Sequence, residues 1–548
     1  MILRRLYLYL ASVVGLVVLA VGLASLGATI LMFVFNDPNA QYSRGSIAVF
    51  GAMSVVALPV WGIHFWFGQR FASRDPYERS SAIRHLYLYF VCLASSIAAM
   101  VFVSMALGNV LAPVIDGRTI DGEASAQTGW GALVFLAIWA FHFYIASVDR
   151  RSVPEERASA TLRRWYMYVA LLVGLLTMLG YGQQLLAQAW MVLAASVRPE
   201  TTFLAESMGT ALAGALMWGF HARNVATRHI ADDRHSTLRA VEGFLAVTFC
   251  IVNALGGASQ VLYYALARIL GVDHPGGASD DILTAAAAPV SLVLVYGVAW
   301  FLLNRRLGRD AADQEGDRQA GVRRLYTNLV ALISLAAWAF GAALLLGTLA
   351  AQLEAPIIGV PAPDWKDPLS LSVTLMVVGA AVWATHWRQA PWAADRQSLS
   401  RKLYVWAALL GSVLAVLGGG VTLVYTVLQQ AVSTQPKLND TSNLGFASSL
   451  AVIVVAAGIG IYHWRVLRAD AAARPARPAA APAHPVVVAS SPSVNKPAPA
   501  GEVLGPHARR YTLVVTDASE DDVHQALASL PPQASYKLSP TEQAVDGH

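Results

Sequence analysis

Twelve long apolar stretches, arranged in pairs that recur about every eighty residues, constrain the fold of this chain more than any other feature. The first pair runs from Leu6 to Phe35 and from about Ser46 to Phe67, and a polar turn with Asp37 and Pro38 separates its two members. A helix needs about 20 apolar residues to cross a hydrocarbon layer of about 30 Å. The sequence therefore predicts membrane hairpins, each made of two spanning helices.

The composition agrees with a membrane protein and excludes a soluble fold. Hydrophobic residues make up 56% of the 548 residues and charged residues only 13%, with a mean hydropathy of +0.50. One soluble core cannot bury so much apolar surface. The net charge of +5 comes from basic residues in short loops, which membrane topology explains better than nucleic-acid binding. We therefore expect an all-α polytopic transmembrane bundle, surrounded by the lipid bilayer, with no nucleic-acid partner.

The paired stretches divide the chain into six tandem hairpin units, followed by a tail. The units are predicted at residues 1–80, 81–160, 161–236, 237–320, 321–398 and 399–469. Residues 470–505 are rich in Ala and Pro and are predicted to be a linker. Residues 506–548 contain two strand-like stretches and a capping-box helix, which predicts a small cytoplasmic α+β segment. A segment this short is marginal alone, so we expect it to fold on a membrane-protein or cytoplasmic partner, or to stay partly disordered.

The distribution of Lys and Arg predicts the orientation of the hairpins. The N-terminus and the segments between units carry 29 basic residues up to Arg477, whereas the turns inside the hairpins carry five. Basic loops are retained in the cytoplasm far more often than they are translocated. Both termini are therefore predicted to be cytoplasmic, and the hairpin turns are predicted to face the exterior. This predicts a multi-pass protein of the bacterial cytoplasmic (inner) membrane.

Each unit tends to open and close with a recurring motif. Arg-x-Leu-Tyr opens a unit, as at residues 84–87 and 401–404, and Trp-x-x-His-Trp closes one, as at residues 383–387. The fourth unit departs from both motifs, because Glu242 replaces the tyrosine and Leu303 stands where the histidine would be. The repeated two-helix units with these motifs resemble an uncharacterised bacterial integral-membrane family catalogued as a domain of unknown function. The resemblance covers residues 1–468 and implies a membrane location and a repeated helical fold, but no activity, substrate or catalytic residue.

Five histidines recur at one depth, near the end of the second helix of a unit. They are His64, His142, His221, His386 and His463. An imidazole at this position can ligate haem iron, the magnesium of a chlorophyll-type pigment, or take part in a proton relay. Each histidine lies beside a basic boundary and has a tryptophan close by in sequence, three residues earlier in four cases and directly after His463 in the fifth. Tryptophan is enriched at membrane interfaces. We therefore favour interfacial anchors that hydrogen bond to neighbouring helices, and we predict no cofactor and no metal site.

Basic residues at the unit entrances form a candidate binding site for anionic lipid headgroups. Their positions place several positive charges at one depth beside the cytoplasmic leaflet. They are Arg4, Arg5, Arg84, Arg163, Arg164, Arg323, Arg324, Arg401 and Lys402.

A set of polar residues lies deeper in the third and fourth units, 17 and 18 residues after the entrance position. They are Gln183, Gln184, Ser259 and Gln260. Polar side chains inside a membrane require partners, and at matching depth they can line a cavity for a solute. Hydrogen bonds between helices are the alternative, and we favour it.

No motif for catalysis accompanies these residues. The chain contains no Walker motif, dinucleotide-binding glycine pattern or HExxH sequence, and its isolated Ser, His and Asp residues define no triad. We therefore expect no enzyme activity. The favoured function is a non-catalytic scaffold or subunit of a membrane assembly. The alternatives are a transporter or channel for a small solute and a histidine-ligated haem or pigment protein.

Overall fold

Twelve long helices make up the computed structural model, which describes residues 2–153, 157–197, 203–228, 236–312, 317–359, 361–388, 398–432 and 445–472. The helices are α1 (Ile2–Val34), α2 (Arg44–Arg74), α3 (Ala82–Ile115), α4 (Gly122–Ser152), α5 (Arg157–Leu193), α6 (Leu204–Arg228), α7 (Thr237–Ile269), α8 (Ile282–Ala312), α9 (Asp317–Ile358), α10 (Lys366–Arg388), α11 (Leu399–Val432) and α12 (Gly445–Ala472). The predicted all-α class is confirmed. The final helix ends at Ala472, so it includes the first three residues of the predicted linker. The rest of that linker and the predicted α+β segment lie outside the described residues.

Eleven of these helices are long and apolar enough to cross a membrane, rather than the twelve expected from the sequence. The exception is α6, whose 25 residues reach about 37 Å but include Glu206, His221 and several small or polar side chains. Much of α6 is covered by protein, because it packs against both α3 and α5. A helix sheltered in this way needs less apolar surface than one that faces lipid.

The helices pack as six hairpins in a two-layered row. Consecutive helices pair as α1 with α2, α3 with α4, and so on to α11 with α12. The second helix of each later hairpin also packs against the first helix of the preceding hairpin: α4 on α1, α6 on α3, α8 on α5, α10 on α7 and α12 on α9. The first helices contact one another in sequence along the row. Each hairpin is therefore held by the one before it.

The crossing of α3 and α6 depends on a close backbone approach. A Cβ atom at Gly209 would lie 2.5 Å from the backbone nitrogen of Gly108 and 2.5 Å from the carbonyl oxygen of Ser104. Only glycine permits this distance, because no real Cβ atom approaches another backbone so closely. Small residues allow helices without a hydrophobic driving force to pack by close contact in lipid.

The two ends of the helices differ in character. We call the end with the N-termini of the odd-numbered helices the connector side, because the segments between hairpins lie there, and the other end the turn side. The turn side holds the acidic caps of α4 and α8, since Asp121 accepts from the Ala124 amide and Asp281 accepts from the Thr284 amide. Hydrogen bonds to Thr284 and the nearby backbone lower the pKa of the Asp281 carboxyl. Arg268 also lies on this side, where it donates to the carbonyl oxygen of Asp280, so the turn side has one basic residue more than the sequence count assigned to it.

Every contact between successive hairpins also includes a polar link near the turn side. These links are Trp130 to the Leu23 carbonyl, the Ala205 amide to Asp116, Trp190 to the Leu283 carbonyl, Tyr263 to Asp367, and the Ala447 amide to Glu354. The residue types differ from one link to the next. Their positions agree, because each link joins the first helix of one hairpin to the second helix of the next.

Candidate functional site

A buried hydrogen-bonded bridge joins the first two hairpins on the connector side. Trp61 of α2 donates its indole N–H to the hydroxyl oxygen of Tyr87 at 3.1 Å. The Tyr87 hydroxyl lies 3.0 Å from Nε2 of His142, and Nδ1 of His142 lies 2.8 Å from the Ile138 carbonyl oxygen. We call this arrangement the Trp–Tyr–His bridge: the tryptophan comes from one hairpin, and the tyrosine and histidine come from the next.

The same bridge occurs at two further junctions. Trp139 donates to Tyr166 at 2.9 Å, and the Tyr166 hydroxyl lies 2.9 Å from Nε2 of His221. In the last pair of hairpins, Trp383 donates to Tyr404 at 2.8 Å, and Tyr404 lies 3.0 Å from Nε2 of His463. All three tyrosines and all three histidines are buried. The bridges therefore lie inside the protein rather than at its lipid-facing surface.

The remaining hairpins keep parts of the bridge. In hairpin 1, Nε2 of His64 lies 3.1 Å from the Tyr7 hydroxyl, and none of the described tryptophans donates to that hydroxyl. In hairpin 5, the ring of His386 lies 6.1 Å from that of Tyr326 in an edge-on contact. Hairpin 4 replaces the bridge by charge, since Arg306 lies 3.4 Å from the buried carboxylate of Glu242.

The hydrogen-bond geometry fixes the protonation pattern of the bridge. A carbonyl oxygen only accepts, so Nδ1 of His142 carries the proton that it donates to Ile138. Nε2 then accepts the proton of the Tyr87 hydroxyl, whose oxygen accepts from Trp61. Both ring nitrogens are thus engaged. Coordination of haem iron or pigment magnesium through Nε2 would require the tyrosine hydroxyl to be displaced. Within the described ranges, no group of three or more His, Cys, Asp or Glu side chains is placed to hold a metal ion.

A buried ion pair lies beside the first bridge. Arg84 is 1% exposed, and its Nε donates to Oδ2 of Asp149 at 2.7 Å. The other guanidinium nitrogens donate to the Tyr9 hydroxyl at 3.1 Å and to Oε1 of Gln69 at 2.9 Å. Arg79 approaches the second oxygen of Asp149 at 3.7 Å. These contacts come from α1, α2, α3 and α4, so Arg84 connects both helices of hairpin 1 to both helices of hairpin 2.

Hairpin 6 contains the equivalent ion pair. Arg401 donates from Nε to Oδ2 of Asp470 at 2.7 Å, and its guanidinium lies 4.5 Å from the ring centroid of Trp387 in the preceding hairpin. In both hairpins the arginine stands three residues before the bridge tyrosine, and the aspartate stands seven residues after the bridge histidine. Seven residues make about two helical turns, so the histidine and the aspartate lie on one helix face.

The two aspartates were not among the residues singled out from the sequence. Asp470 fell at the start of the predicted linker, and Asp149 fell among the arginines at the end of a unit. The shared seven-residue spacing from histidine to aspartate was a usable signal, because it occurs together with the arginine in hairpins 2 and 6.

The structure places the predicted headgroup-binding residues in different surroundings. Arg84 and Arg401 are buried in the ion pairs described above, so their charges do not face lipid headgroups as the sequence suggested. Arg163 is also buried. Arg4 and Arg5 both pair with Glu78 on the connector side. Arg323 is exposed, and Arg164, Arg324 and Lys402 are partly exposed.

An open polar pocket on the connector side offers better access than the buried arginines. It lies between α2 and α4, has a volume of about 450 Å³, and is lined in part by Arg70, Arg79 and Asp149. The exposed rings of Trp66 and Tyr144 flank it, and the Arg70 guanidinium lies 5.1 Å from the Trp66 ring centroid.

The four predicted cavity residues differ in their exposure. Gln184 and Gln260 are exposed, Ser259 is partly buried, and Gln183 donates to the Ala288 carbonyl oxygen of α8 at 3.4 Å. A separate cavity of about 330 Å³ lies between α9, α11 and α12. Its lining is apolar apart from the Ser412 hydroxyl, which donates to the Ala408 carbonyl of its own helix at 2.7 Å. This cavity suits a hydrocarbon chain better than a polar solute.

Removing the hydroxyl of Tyr87 should destabilise the protein. Tyr87→Phe leaves the Trp61 indole and Nε2 of His142 buried without their shared partner, which costs about 1–3 kcal/mol. We expect a lower thermal unfolding midpoint in nanodiscs. Tyr77→Phe is the control, because Tyr77 is exposed on the same side and its loss should change the midpoint little. Equal midpoints for the two variants would contradict a structural role for the bridge.

Neutralising Asp149 should have a larger effect. Asp149→Asn leaves the Arg84 guanidinium buried without a countercharge, and breaking such a pair from one side costs about 3–5 kcal/mol. Asp273→Asn serves as the control, since its side chain is exposed and lies 4.0 Å from Arg268, where an ion pair contributes about 0–1 kcal/mol. The double variant Arg84→Met, Asp149→Leu should recover stability relative to Asp149→Asn when unfolding midpoints are compared. No recovery would contradict the assignment of the loss to the unpaired charge.

Comparison with known proteins gives a family but no activity. A family model described as a domain of unknown function, DUF5671, matches residues 5–131, 123–201 and 324–458. These matches leave out residues 202–323, which contain the fourth hairpin with its Glu242 and Leu303. No curated protein and no solved structure matches the chain. Because the matched regions cover more than half of its length, the chain belongs to the DUF5671 family.

Proposed function

We propose that the protein is a non-catalytic scaffold or structural subunit of a membrane assembly. The observation that supports this proposal is that the polar side chains near the connector side bond to one another between neighbouring hairpins. The histidine, tyrosine and tryptophan of each bridge satisfy one another, and Arg84 and Arg401 are paired with carboxylates. These groups join neighbouring hairpins, and their hydrogen-bonding capacity is used in doing so. A row of hairpins fastened in this way is suited to hold partners at fixed spacing in the bilayer.

A transporter or channel is the alternative function. It needs a polar path, and Gln183, Gln184, Ser259 and Gln260 were the candidates for its lining. Gln184 and Gln260 are exposed, and the cavity between α9, α11 and α12 is apolar. A pigment protein is the further alternative, and it requires a histidine nitrogen that the bridge tyrosine occupies at three junctions. These observations favour the scaffold over both alternatives.

We further propose that the connector side is cytoplasmic in a bacterial inner membrane. Most of the basic residues lie on this side, and basic loops are retained in the cytoplasm. If all twelve helices cross the membrane, both termini lie on this side. Residues 506–548 would then be available to recruit a cytoplasmic partner, while anionic lipid headgroups are expected at the exposed arginines and in the pocket that includes Arg70 and Arg79.

Labelling of introduced cysteines tests the orientation. Tyr42 on the turn side and Tyr77 on the connector side form a matched pair, since they are 81% and 77% exposed. A membrane-impermeant maleimide should label Tyr42→Cys in intact cells and Tyr77→Cys only after permeabilisation. The native Cys92 and Cys250 are buried, which keeps the background low. Labelling of Tyr77→Cys in intact cells would invert the proposed topology.

Isolation without detergent tests the scaffold function. The protein, extracted from membranes at native expression in polymer-bounded nanodiscs, should be found in particles with a fixed stoichiometry of more than one protein chain, as measured by native mass spectrometry. Gln184→Leu and Gln260→Leu should leave that stoichiometry unchanged, because neither residue belongs to a bridge. Particles that hold a single chain, combined with solute flux that these two variants abolish, would favour the transporter instead.

A further inference from the structure

The aromatic contacts around the bridge tyrosines repeat in a way that leaves one set of contacts incomplete at each end of the row. The Tyr87 ring contacts two rings of hairpin 1, with centroid distances of 5.4 Å to Tyr9 and 5.9 Å to Phe65. Tyr9 is two residues after the entrance tyrosine of its own hairpin, and Phe65 directly follows the histidine. We call these two rings the aromatic clamp of hairpin 1.

The clamp recurs along the chain. Tyr89 and Phe143 of hairpin 2 lie 5.9 Å and 6.5 Å from the ring of Tyr166. Hairpins 4 and 5 contribute one clamp ring each: Phe244 lies 5.5 Å from Tyr326, and Trp387 lies 4.6 Å from Tyr404. In each case a hairpin holds the tyrosine of the hairpin that follows. The direction along the chain never reverses.

Hairpin 6, the last of the described hairpins, carries both clamp residues. Trp406 stands two residues after Tyr404, and Trp464 directly follows His463. Trp406 is 57% exposed, whereas Tyr9 and Tyr89 at the equivalent position of hairpins 1 and 2 are buried. Trp464 is 51% exposed. Hairpin 6 therefore has both clamp residues, and both of their rings are exposed.

Hairpin 1, the first of the described hairpins, carries the complementary residue. Tyr7 is 64% exposed, whereas the tyrosines held by a complete clamp or bridge at positions 87, 166 and 404 are each 2% exposed. Its hydroxyl already contacts Nε2 of His64, as in a bridge. The ring faces that a clamp would cover are the part that is missing.

The first helix of hairpin 6 is also uncovered along its length. In α9 the residues 13, 17 and 21 positions after the tyrosine are Ala339, Ala343 and Gly347, which face the cavity or the last hairpin. The same positions in α11 are Leu417, Val421 and Tyr425, and all three are exposed. α2 packs on α1, and α2 and α11 share the smallest buried fraction among the eleven apolar helices. Exposed apolar surface needs no cover in lipid, so the uncovered clamp residues, rather than the exposed area, point to a partner.

We propose that copies of this chain associate head to tail in the membrane, with Tyr7 of one copy held between Trp406 and Trp464 of the next. This inference rests on the proposed function and names the partner as a second copy. The contact repeats the clamp part of the interface between successive hairpins but not its bridge tryptophan, because Gly460 stands at that position in hairpin 6. It places α2 of one copy against α11 of its neighbour. All six hairpins cross in the same sense, so both copies keep one membrane orientation. Such a contact is heterologous and extends to rings or rows.

Crosslinking between differently tagged copies tests the proposal. Full-length Tyr7→Cys with one tag and Trp406→Cys with another are co-expressed, and a short thiol-specific crosslinker is applied to native membranes. Leu86→Cys replaces Tyr7→Cys in the control, because Leu86 is 53% exposed and directly precedes the tyrosine of hairpin 2. We expect at least tenfold more mixed product with Tyr7→Cys than with the control. Equal yields, or a Tyr7→Cys product linked to itself in preference to Trp406→Cys, would overturn the head-to-tail contact.

A second measurement keeps the test independent of the introduced cysteines. Trp406→Ala combined with Trp464→Ala should lower the fraction of nanodiscs that contain two or more copies at least tenfold, while Trp165→Ala, an exposed tryptophan of the same side, should not. Nanodiscs that contain this chain with a different protein and never a second copy would overturn this inference and leave the scaffold function standing. Nanodiscs with one chain and no partner would overturn both.

Discussion

The fold depends on the need of each buried polar group for a partner where no water is available. An imidazole inside the bundle has two nitrogens to satisfy, and its own helix satisfies only one of them through the carbonyl four residues earlier, as at His142. The second nitrogen requires the Tyr87 hydroxyl from the paired helix, and the Tyr87 oxygen then accepts from Trp61 of the preceding hairpin. One buried histidine thereby favours the pairing of the two helices of its own hairpin and the packing of that hairpin against the preceding one.

The same requirement applies more strongly to charge. A buried guanidinium is tolerated only with a countercharge and further acceptors, and Arg84 obtains them from Asp149, Tyr9 and Gln69 on three other helices. Hairpin 4 shows that the type of polar group is less important than its having a partner, because Glu242 at the tyrosine position pairs with Arg306, three residues after Leu303 at the histidine position. The polar contact keeps its place at the connector side of the hairpin, while the residue types that form it change. Polar links on the turn side vary in the same manner.

The sequence predicted well at which level along the helices these side chains lie, but it predicted poorly how each helix is rotated about its axis. The eighty-residue period located the helices and placed Trp61, His142 and Tyr87 at one level, because the number of residues along a helix converts directly into distance. It did not indicate which tyrosine meets which tryptophan, since that depends on how the helices are turned about their axes. The burial of Arg84 was missed for a related reason, because an arginine at the cytoplasmic boundary fits topology whether it faces lipid or protein. Asp149, its countercharge, was the available sign that it faces protein.

The offset between the two layers gives the chain an order of assembly. Each second helix from α4 to α12 packs on two helices, the first helix of its own hairpin and the first helix of the preceding one. Both of these partners leave the ribosome earlier than the second helix itself. From the second hairpin onward, each helix pair inserted during synthesis therefore meets a docking helix that has already been made. A chain built in this way can lengthen by whole hairpins without rearranging those already in the membrane.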